Sequence, residues 1–341
     1  MKTTFSAVLI ILFSSLTRLS AQYVNIPSET WGIGFGNSPK FTGIRFNFAD
    51  KNIEKLDGIN VTIWSPKDFD SETGSINGIS LGLPMAVGTG SRNGINLGVF
   101  GVGAAEKLVG INIGLLGIGA GEDVVGLNIG GLGGGAGENL TGINLGGLGI
   151  GAGNKLSGIN IGGLGVGAGG SVSGISASII AVGSGESITG INIAGIAVGS
   201  RVDVTGINLA GIAIGSGESV KGINFGGIAV GSGSKVVGIN LSIIAVAAPT
   251  VKGLSTALVV SGEKVHGIAV APAYFRIEGN EGYLKGISIS AVNHIRGTQN
   301  GLSIGIFNYT WEIAGFQLGI LNYVKSNPRG LKILPVFNTR F

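Results

Sequence analysis

Two short motifs in the chain match the pattern of a catalytic serine. Residues 78–82 read Gly-Ile-Ser-Leu-Gly and residues 301–305 read Gly-Leu-Ser-Ile-Gly, and both fit the Gly-x-Ser-x-Gly turn that presents a nucleophile in many hydrolases. That turn needs a strand before it and a helix after it. No helical pattern follows either motif, and each serine takes a slot that other copies of the phrase fill with asparagine, as at Asn112. We therefore predict no catalytic residue and no enzymatic activity.

Other residue types that support chemistry are scarce. The 341 residues include no cysteine, which excludes thiolate metal sites and cysteine nucleophiles, and two histidines, His266 and His294, which lie in unlike surroundings. Matches to Gly-x-Gly-x-x-Gly arise by chance where 67 residues are glycine, and no Gly-Lys dipeptide supports a phosphate-binding loop. A calcium-binding roll needs a regular aspartate in each turn, which is missing. We predict no metal site and no cofactor, and we identify no small-molecule substrate.

One polar residue recurs at a fixed spacing. Stacked copies of a strand would bring these asparagines into a ladder in which side-chain amides bond to one another. We predict that the ladder supports the structure. The alternative is an outward face of Asn, Gly and Ala that binds an ordered surface such as glycan, mineral or ice. The residues of the predicted ladder are Asn96, Asn112, Asn128, Asn144, Asn160, Asn192, Asn208, Asn224 and Asn240.

These asparagines belong to a 16-residue repeat that dominates the sequence. The same phrase returns every 16 residues from Gly94 to Gly238, and looser copies reach back to Gly43 and forward to Gly330, which makes about nineteen units. Glycine at five or more positions of a unit excludes a helix, because each one costs about 1 kcal/mol relative to alanine. Ile and Val fill the apolar positions, and both residues suit strands. The chain is thus predicted to be all-β.

Two architectures fit an all-β repeat of this length. In a β-solenoid each unit forms one turn, with five apolar side chains inward, small residues outward and aromatic-rich caps at both ends. In the alternative, each unit is one strand of a closed antiparallel β-barrel of the outer membrane, which suits the terminal Phe341. Membrane barrels carry aromatic girdles, yet residues 101–273 contain one aromatic, Phe225. This scarcity favours the solenoid.

The composition also indicates how the chain is divided and where it acts. Residues 1–21 have the basic start, apolar run and small-residue end of a signal peptide. The remainder divides into an N-terminal cap with irregular repeats (22–93), the regular array (94–252), and irregular C-terminal repeats with a cap (253–341). Removing the signal peptide lowers the formal net charge from +4 to +2, which argues against nucleic acid as a partner.

The C-terminal units resemble a known kind of repeat protein. Residues 301–309 read Gly-Leu-Ser-Ile-Gly-Ile-Phe-Asn-Tyr, residues 315–323 read Gly-Phe-Gln-Leu-Gly-Ile-Leu-Asn-Tyr, and the chain closes on Leu-Pro-Val-Phe-Asn-Thr-Arg-Phe. These phrases are similar to the bacterial surface-repeat proteins built on Gly-Leu-Gln-Ile-Gly-Leu-Val-Asn, found in Bacteroidota and spirochaetes. The central array matches them more loosely. The resemblance implies an exported, envelope-associated protein and supplies no catalytic residues.

These features together predict an exported, non-enzymatic protein that serves as a structural or adhesive scaffold of the cell envelope. The predicted location is the outer membrane, the cell surface or the exterior of a Gram-negative bacterium, and the expected partners are the outer membrane or other envelope components. An outer-membrane pore is the alternative that accompanies the barrel. Binding of an ordered surface is a lesser alternative.

Overall fold

Each 16-residue repeat folds into a long strand, a bend, a short strand and a second bend. A computed structural model of the chain describes residues 23–64 and 73–341, and the predicted signal peptide lies outside them. In one repeat the long strand Lys155–Gly162 has eight residues and the short strand Gly165–Ala168 has four. Glycines at residues 163 and 169 begin the two bends, where the chain must turn sharply.

Equivalent strands of successive repeats pair in parallel and in strict register. Gly158 pairs with Gly174 and Asn160 with Ser176, so the register advances by one whole repeat at each step. The short strands follow the same rule, since Val166 pairs with Val182. This pairing makes each repeat one turn of a coil.

The fold is an all-β solenoid of about fourteen turns with 75% of residues in strands, and the predicted alternative of a closed barrel is wrong. The sequence indicated about nineteen units. Each repeat of the regular array forms one turn of the solenoid. The last flanking unit, at Gly330, lies in a tight turn before an antiparallel strand and forms no coil.

The chain divides into two compact units, residues 1–126 and 127–341. In unit 1 the first two strands pair antiparallel, and the long strands after them pair in parallel. The strands of unit 1 are β1 (Tyr23–Pro27), β2 (Trp31–Gly36), β3 (Lys40–Asn47), β4 (Lys55–Thr62), β5 (Ser75–Gly82), β6 (Met85–Ala86), β7 (Ser91–Gly98), β8 (Gly101–Ala104), β9 (Lys107–Gly114) and β10 (Gly117–Ala120). The residues at which the units divide lie in β11 (Asp123–Gly130).

Unit 2 continues the alternation of long and short strands and ends with an antiparallel strand, β30, beside β29. Its strands are β12 (Gly133–Ala136), β13 (Asn139–Gly146), β14 (Gly149–Ala152), β15 (Lys155–Gly162), β16 (Gly165–Ala168), β17 (Ser171–Ser178), β18 (Ala181–Ser184), β19 (Ser187–Ala194), β20 (Ala197–Ser200), β21 (Asp203–Ala210), β22 (Ala213–Ser216), β23 (Ser219–Gly226), β24 (Ala229–Ser232), β25 (Lys235–Ser242), β26 (Ala245–Ala247), β27 (Thr250–Thr256), β28 (Val259–Gly262), β29 (Lys264–Val324) and β30 (Ile333–Asn338).

The interior of a turn is narrower than the sequence suggested. Of the five apolar side chains predicted to point inward, two are buried in most turns of the array, such as Leu156 and Val166, while Ile159, Ile161 and Leu164 are exposed. The prediction that an apolar residue just after each polar bend is buried is confirmed. The side chains that confirm it in unit 2 are Leu140, Leu156, Val172, Ile188, Val204, Val220 and Val236.

Close approach of the two strands within a turn explains the narrow interior. A Cβ atom on Gly162 would lie 2.1 Å from the carbonyl oxygen of Gly165 in the short strand. Only glycine, alanine or serine stands at this position in the array, as at Ala194 and Ser178. No room remains for five aliphatic side chains, so the surplus faces outward.

The aromatic residues concentrated toward the two ends lie mostly on the outer surface. Phe41 in unit 1 and Phe275 in unit 2 are buried, eight aromatic side chains of the end regions are exposed, and others such as Tyr309 and Trp311 are half-buried. The exposed aromatic residues are Trp31, Phe35, Phe46, Phe48, Trp64, Phe316, Phe337 and Phe341.

Candidate functional site

The serines of the two Gly-x-Ser-x-Gly motifs lie inside the solenoid. Ser80 pairs with Asn60 and Asn96 of the neighbouring turns, so it occupies the asparagine slot as the sequence indicated. Ser303 is fully buried and its hydroxyl accepts a hydrogen bond from Ser288 at 2.9 Å. A nucleophile must reach its substrate, and neither hydroxyl faces a surface where a substrate could bind.

The nine predicted ladder asparagines also point inward, each at most 1% exposed. In unit 1 the amide of Asn96 donates to the Oδ1 of Asn112 at 2.8 Å. In unit 2 the same bond links Asn128 to Asn144 and Asn144 to Asn160 at 2.8 Å. A further run at 2.9 Å per step joins Asn192, Asn208, Asn224 and Asn240.

These bonds give each buried amide a partner in the next turn, which removes most of the penalty for burying it. Asn160 extends the ladder to the Ser176 hydroxyl at 3.3 Å, so a serine can hold the same slot. The alternative of an outward surface that includes these asparagines does not match their burial. Their place is structural support inside each unit.

A second asparagine ladder in unit 2 was missed at the sequence level. Asn293 donates to Asn308, and Asn308 to Asn322, each at 2.7 Å between Nδ2 and Oδ1. Residues 307–309 and 321–323 share the pattern apolar-Asn-Tyr, which was the available signal.

We predict that Asn208→Asp lowers the stability of unit 2 by at least about 2 kcal/mol at pH 7. The aspartate keeps an acceptor for Asn192 but offers no donor to Asn224, and its charge is buried between two neutral amides. Asn208→Ser is the matched variant and is expected to lose less, because Ser176 already occupies this slot. Urea unfolding midpoints measure the difference. Equal midpoints for the two variants would contradict the claim that the asparagine hydrogen bonds stabilise unit 2.

Unit 1 contains a buried ionic cluster that sequence reasoning also missed. The Asp50 carboxylate is fully buried and forms ion pairs with Arg45 and, at 3.1 Å, with Arg92. The amide of Asn60 and the hydroxyl of Thr62 donate to Asp50 at 2.9 Å. The sequence did offer one indication of the cluster. Arg92 occupies the position that Ile76 and Leu108 hold in the neighbouring turns, where the repeat otherwise has an apolar side chain.

The cluster holds two cations and one anion away from water. Burial on its own raises the pKa of the Asp50 carboxyl, but the charges of Arg92 and Arg45 and hydrogen bonds from Asn47 and Thr62 outweigh it. The pKa of Asp50 therefore lies below its ordinary value. The carboxylate stays ionised at neutral pH and fastens β3, β4 and β7 to one point.

Each of the two histidines forms a hydrogen bond with a tyrosine, and neither is placed as a metal ligand among the described residues. The Nε2 of His266 lies 2.8 Å from the hydroxyl of Tyr283, and the Nδ1 of His294 lies 2.7 Å from that of Tyr274. Burial, with nearby lysines or arginines, lowers the pKa of both imidazoles, so both are neutral at pH 7. Within residues 23–64 and 73–341, no group of His, Asp and Glu side chains is placed to hold a metal ion.

The outer surface of unit 2 carries three rows of apolar side chains along its regular array. The first row is exposed by 38–46% and consists of Ile143, Ile159, Ile175, Ile191, Ile207, Ile223 and Ile239. The second row lies two residues further along each long strand and consists of Leu145, Ile161, Ala177, Ile193, Leu209, Phe225 and Leu241. The third row follows at the first bend and consists of Leu148, Leu164, Ile180, Ile196, Ile212, Ile228 and Ile244. We call these rows the apolar face.

Alternation along the long strand puts these rows outside. Since neighbouring side chains of a strand point to opposite sides, burial of Asn160 places Ile159 and Ile161 on the surface. The parallel register then lines each residue up with its equivalents, as Ile191 lies beside Ile207. Because the asparagine of each turn points inward, its two apolar neighbours point outward and form a continuous apolar surface.

No charged side chain stands in the three rows, although Lys221 lies two residues before Ile223 on the same outward side of its strand. Between residues 137 and 251 the charged side chains all stand in the second bend or in the first three residues of the long strand that follows. They are Glu138, Lys155, Glu186, Arg201, Asp203, Glu218, Lys221 and Lys235. Four are acidic and four are basic, so this stretch of unit 2 has no net charge.

The geometry resembles a docking surface more than a reaction centre. No family model matches the chain, and neither a curated protein nor a solved structure matches it. Its functional interpretation therefore rests on its own surfaces. Contiguous exposed apolar patches larger than a few hundred Å² are rare on monomeric soluble proteins, and they mark interaction sites.

Proposed function

We propose that this chain is a non-enzymatic scaffold of the bacterial cell envelope that assembles with a partner through its apolar face. The observation that carries the proposal is the set of three apolar rows on unit 2, unbroken by charge. Complete burial of an isoleucine is worth roughly 1.5–3 kcal/mol, and the isoleucines of these rows are already more than half buried, so each contributes roughly 1 kcal/mol when covered. Association therefore draws on the rows of many turns together.

The interior of each unit suits a scaffold role. The asparagine ladder and the paired strands tie every turn to its neighbours, so the surface rows are held at a fixed spacing. A fixed row of side chains binds without losing much conformational freedom, which favours affinity. The described residues place no serine, histidine or carboxylate cluster where substrate chemistry is supported.

Export and envelope location are supported by the sequence. Residues 1–21 have the features of a signal peptide, and the C-terminal phrases resemble those of bacterial surface-repeat proteins. The part of the chain that the structure describes contains no helix that could cross a membrane. The signal-peptide features and the C-terminal phrases are the basis on which we propose an assembly at the envelope.

Fractionation of the producing cells tests this function. We expect the protein in the envelope fraction with Gln22 at its N-terminus, and we expect chemical cross-linking to give a species heavier than one chain. The variant Ile161→Glu/Ile193→Glu, which places charges in the second row, should fold but lose the heavier species at least tenfold. Asn154→Glu/Ser234→Glu adds the same two charges in the second bend, away from the three rows, and serves as the control. Recovery in the cytoplasm, or equal cross-linking of both variants, would contradict the proposal.

A further inference from the structure

The apolar face of unit 2 has properties that indicate which partner covers it. We infer that a second copy of this chain covers it, with the long strands of unit 2 packing face to face through the first two rows. This inference rests on the proposed function, because it names the partner in that assembly. Three properties of the face carry it: its size, its repeat spacing and its charge.

The size matches what a dimer requires. The first row continues beyond the regular array through Leu254, Ile268, Ile287, Leu302 and Phe316, because these turns keep the same register and glycine stacking. At a strand spacing of about 4.8 Å, this row is roughly 50–60 Å long, and the face is roughly 15 Å wide. The footprint of roughly 800 Å² equals what one partner contributes to a protein–protein interface of standard size.

The repeat spacing makes the face complementary to itself. Branched side chains such as Ile191, Ile207 and Ile223 stand one strand spacing apart in a straight row, with a groove between each pair. A second copy has ridges and grooves at the same period, so the two can interdigitate along their whole length. Two sheets packed in this way lie about 10 Å apart, as in β-sandwiches.

The charge distribution favours a second copy over a lipid surface. Two copies meet with little like-charge repulsion, because the charged residues of the array lie outside the three rows, with Lys221 at the edge of the first row, and the two signs are equal in number. A lipid-binding face is typically bordered by an excess of lysine and arginine and by Trp and Tyr at the interface. Acids and bases are equal in number between residues 137 and 251, and residues 252–316 contain five basic and four acidic residues. Phe225 is the one aromatic side chain in the rows of the regular array, and Phe316 is the one in the continuation of the first row.

Sedimentation equilibrium of the purified protein tests this inference. We expect the wild-type chain at micromolar concentration, without detergent, to have twice the mass of one chain. The variant Ile191→Glu/Ile223→Glu should have the mass of one chain and the same far-ultraviolet circular dichroism as the wild type. The control Asn154→Glu/Ser234→Glu should remain at twice the mass, because both exposed residues lie in the second bend, where Glu138, Glu186 and Glu218 already stand at the equivalent positions.

The possible failures are distinguishable from one another. A wild-type mass of one chain, with the heavier cross-linked species still present in cells, would overturn the second copy and leave the scaffold function standing. Binding of monomeric wild type to phosphatidylcholine vesicles would likewise overturn the second copy and assign the face to lipid. A dimer that survives Ile191→Glu/Ile223→Glu would show that copies associate elsewhere and would also overturn the inference.

Discussion

Replacing Gly190 by alanine is expected to destabilise unit 2 by roughly 3 kcal/mol or more. Gly190 has a φ of +118°, a conformation that L-residues with a side chain rarely adopt. An added Cβ would lie 2.0 Å from the carbonyl oxygen of Gly174 in the preceding turn. The stack cannot relieve this overlap without separating two paired strands. Urea unfolding followed by circular dichroism measures the loss.

Gly199→Ala is the matched control in the same repeat. Gly199 lies on the short strand without a positive φ, and its added Cβ would approach no atom closer than 3.6 Å, the carbonyl oxygen of Gly215. We expect a change smaller than about 1 kcal/mol, with a gain possible because alanine reduces the freedom of the unfolded chain. Similar losses for the two variants would contradict the tight stacking of the first glycine of each repeat.

Replacing Asp50 by asparagine is expected to destabilise unit 1 by roughly 3–5 kcal/mol, the usual result of breaking a buried ion pair. The change leaves the Arg45 and Arg92 guanidinium groups buried without an anion. Hydrogen exchange of unit 1 amides reports the loss. Asp57→Asn is the control, because Asp57 pairs with Lys55 near the surface, where such pairs contribute about 1 kcal/mol or less.

The same cluster predicts how unit 1 responds to acid. Because the folded-state pKa of Asp50 lies below its ordinary value, its contribution is complete above about pH 4, the unfolded carboxyl pKa. The contribution is lost as the pH falls through the folded-state pKa. In Asp50→Asn the stability of unit 1 should depend less on pH over this range. An unchanged pH profile of stability would show that the Asp50 carboxylate does not stabilise unit 1 in this way.

The repeat made the strand class and the solenoid predictable. Strict recurrence from Gly94 to Gly238 indicates stacked turns, and the buried position of residues such as Val204 followed from the bend before it. Bonding between the asparagine amides of successive turns was also expected from their spacing, whereas their burial was not. These features repeat in every turn, so a single unit contains the information.

The assignment of inside and outside failed for a physical reason. Hydrophobicity alone puts Ile191 and Ile193 inward, yet both are exposed, because Asn192 between them bonds to its equivalent and Ala194 fits the narrow interior. Strand alternation from the buried Ile188 already put Asn192 on the inner side. The asparagine can occupy this inner position because it bonds to its equivalent in the next turn. The narrow interior has no room for five aliphatic side chains.

Irregular positions were harder to predict than the array. Arg45, Asp50 and Arg92 form one cluster although they come from different turns and from a loop, and no periodic signal links them. The C-terminal ladder of Asn293, Asn308 and Asn322 repeats at uneven intervals, which hides it from a search at one period. Contacts of this kind depend on three-dimensional stacking rather than on the repeat itself.

Maleimide labelling of single cysteines tests most directly whether isoleucines form the outer surface. The chain contains no cysteine, so Ile207→Cys and Val204→Cys each introduce one thiol without background. In the Ile191→Glu/Ile223→Glu variant, where a second copy is kept from the face, we predict that Cys at position 207 reacts in the folded protein nearly as fast as in urea. Cys at position 204 should react at least a hundredfold more slowly, because it needs the turn to open. Equal protection of both thiols, or a faster reaction at position 204, would contradict the arrangement of asparagine inside and isoleucine outside.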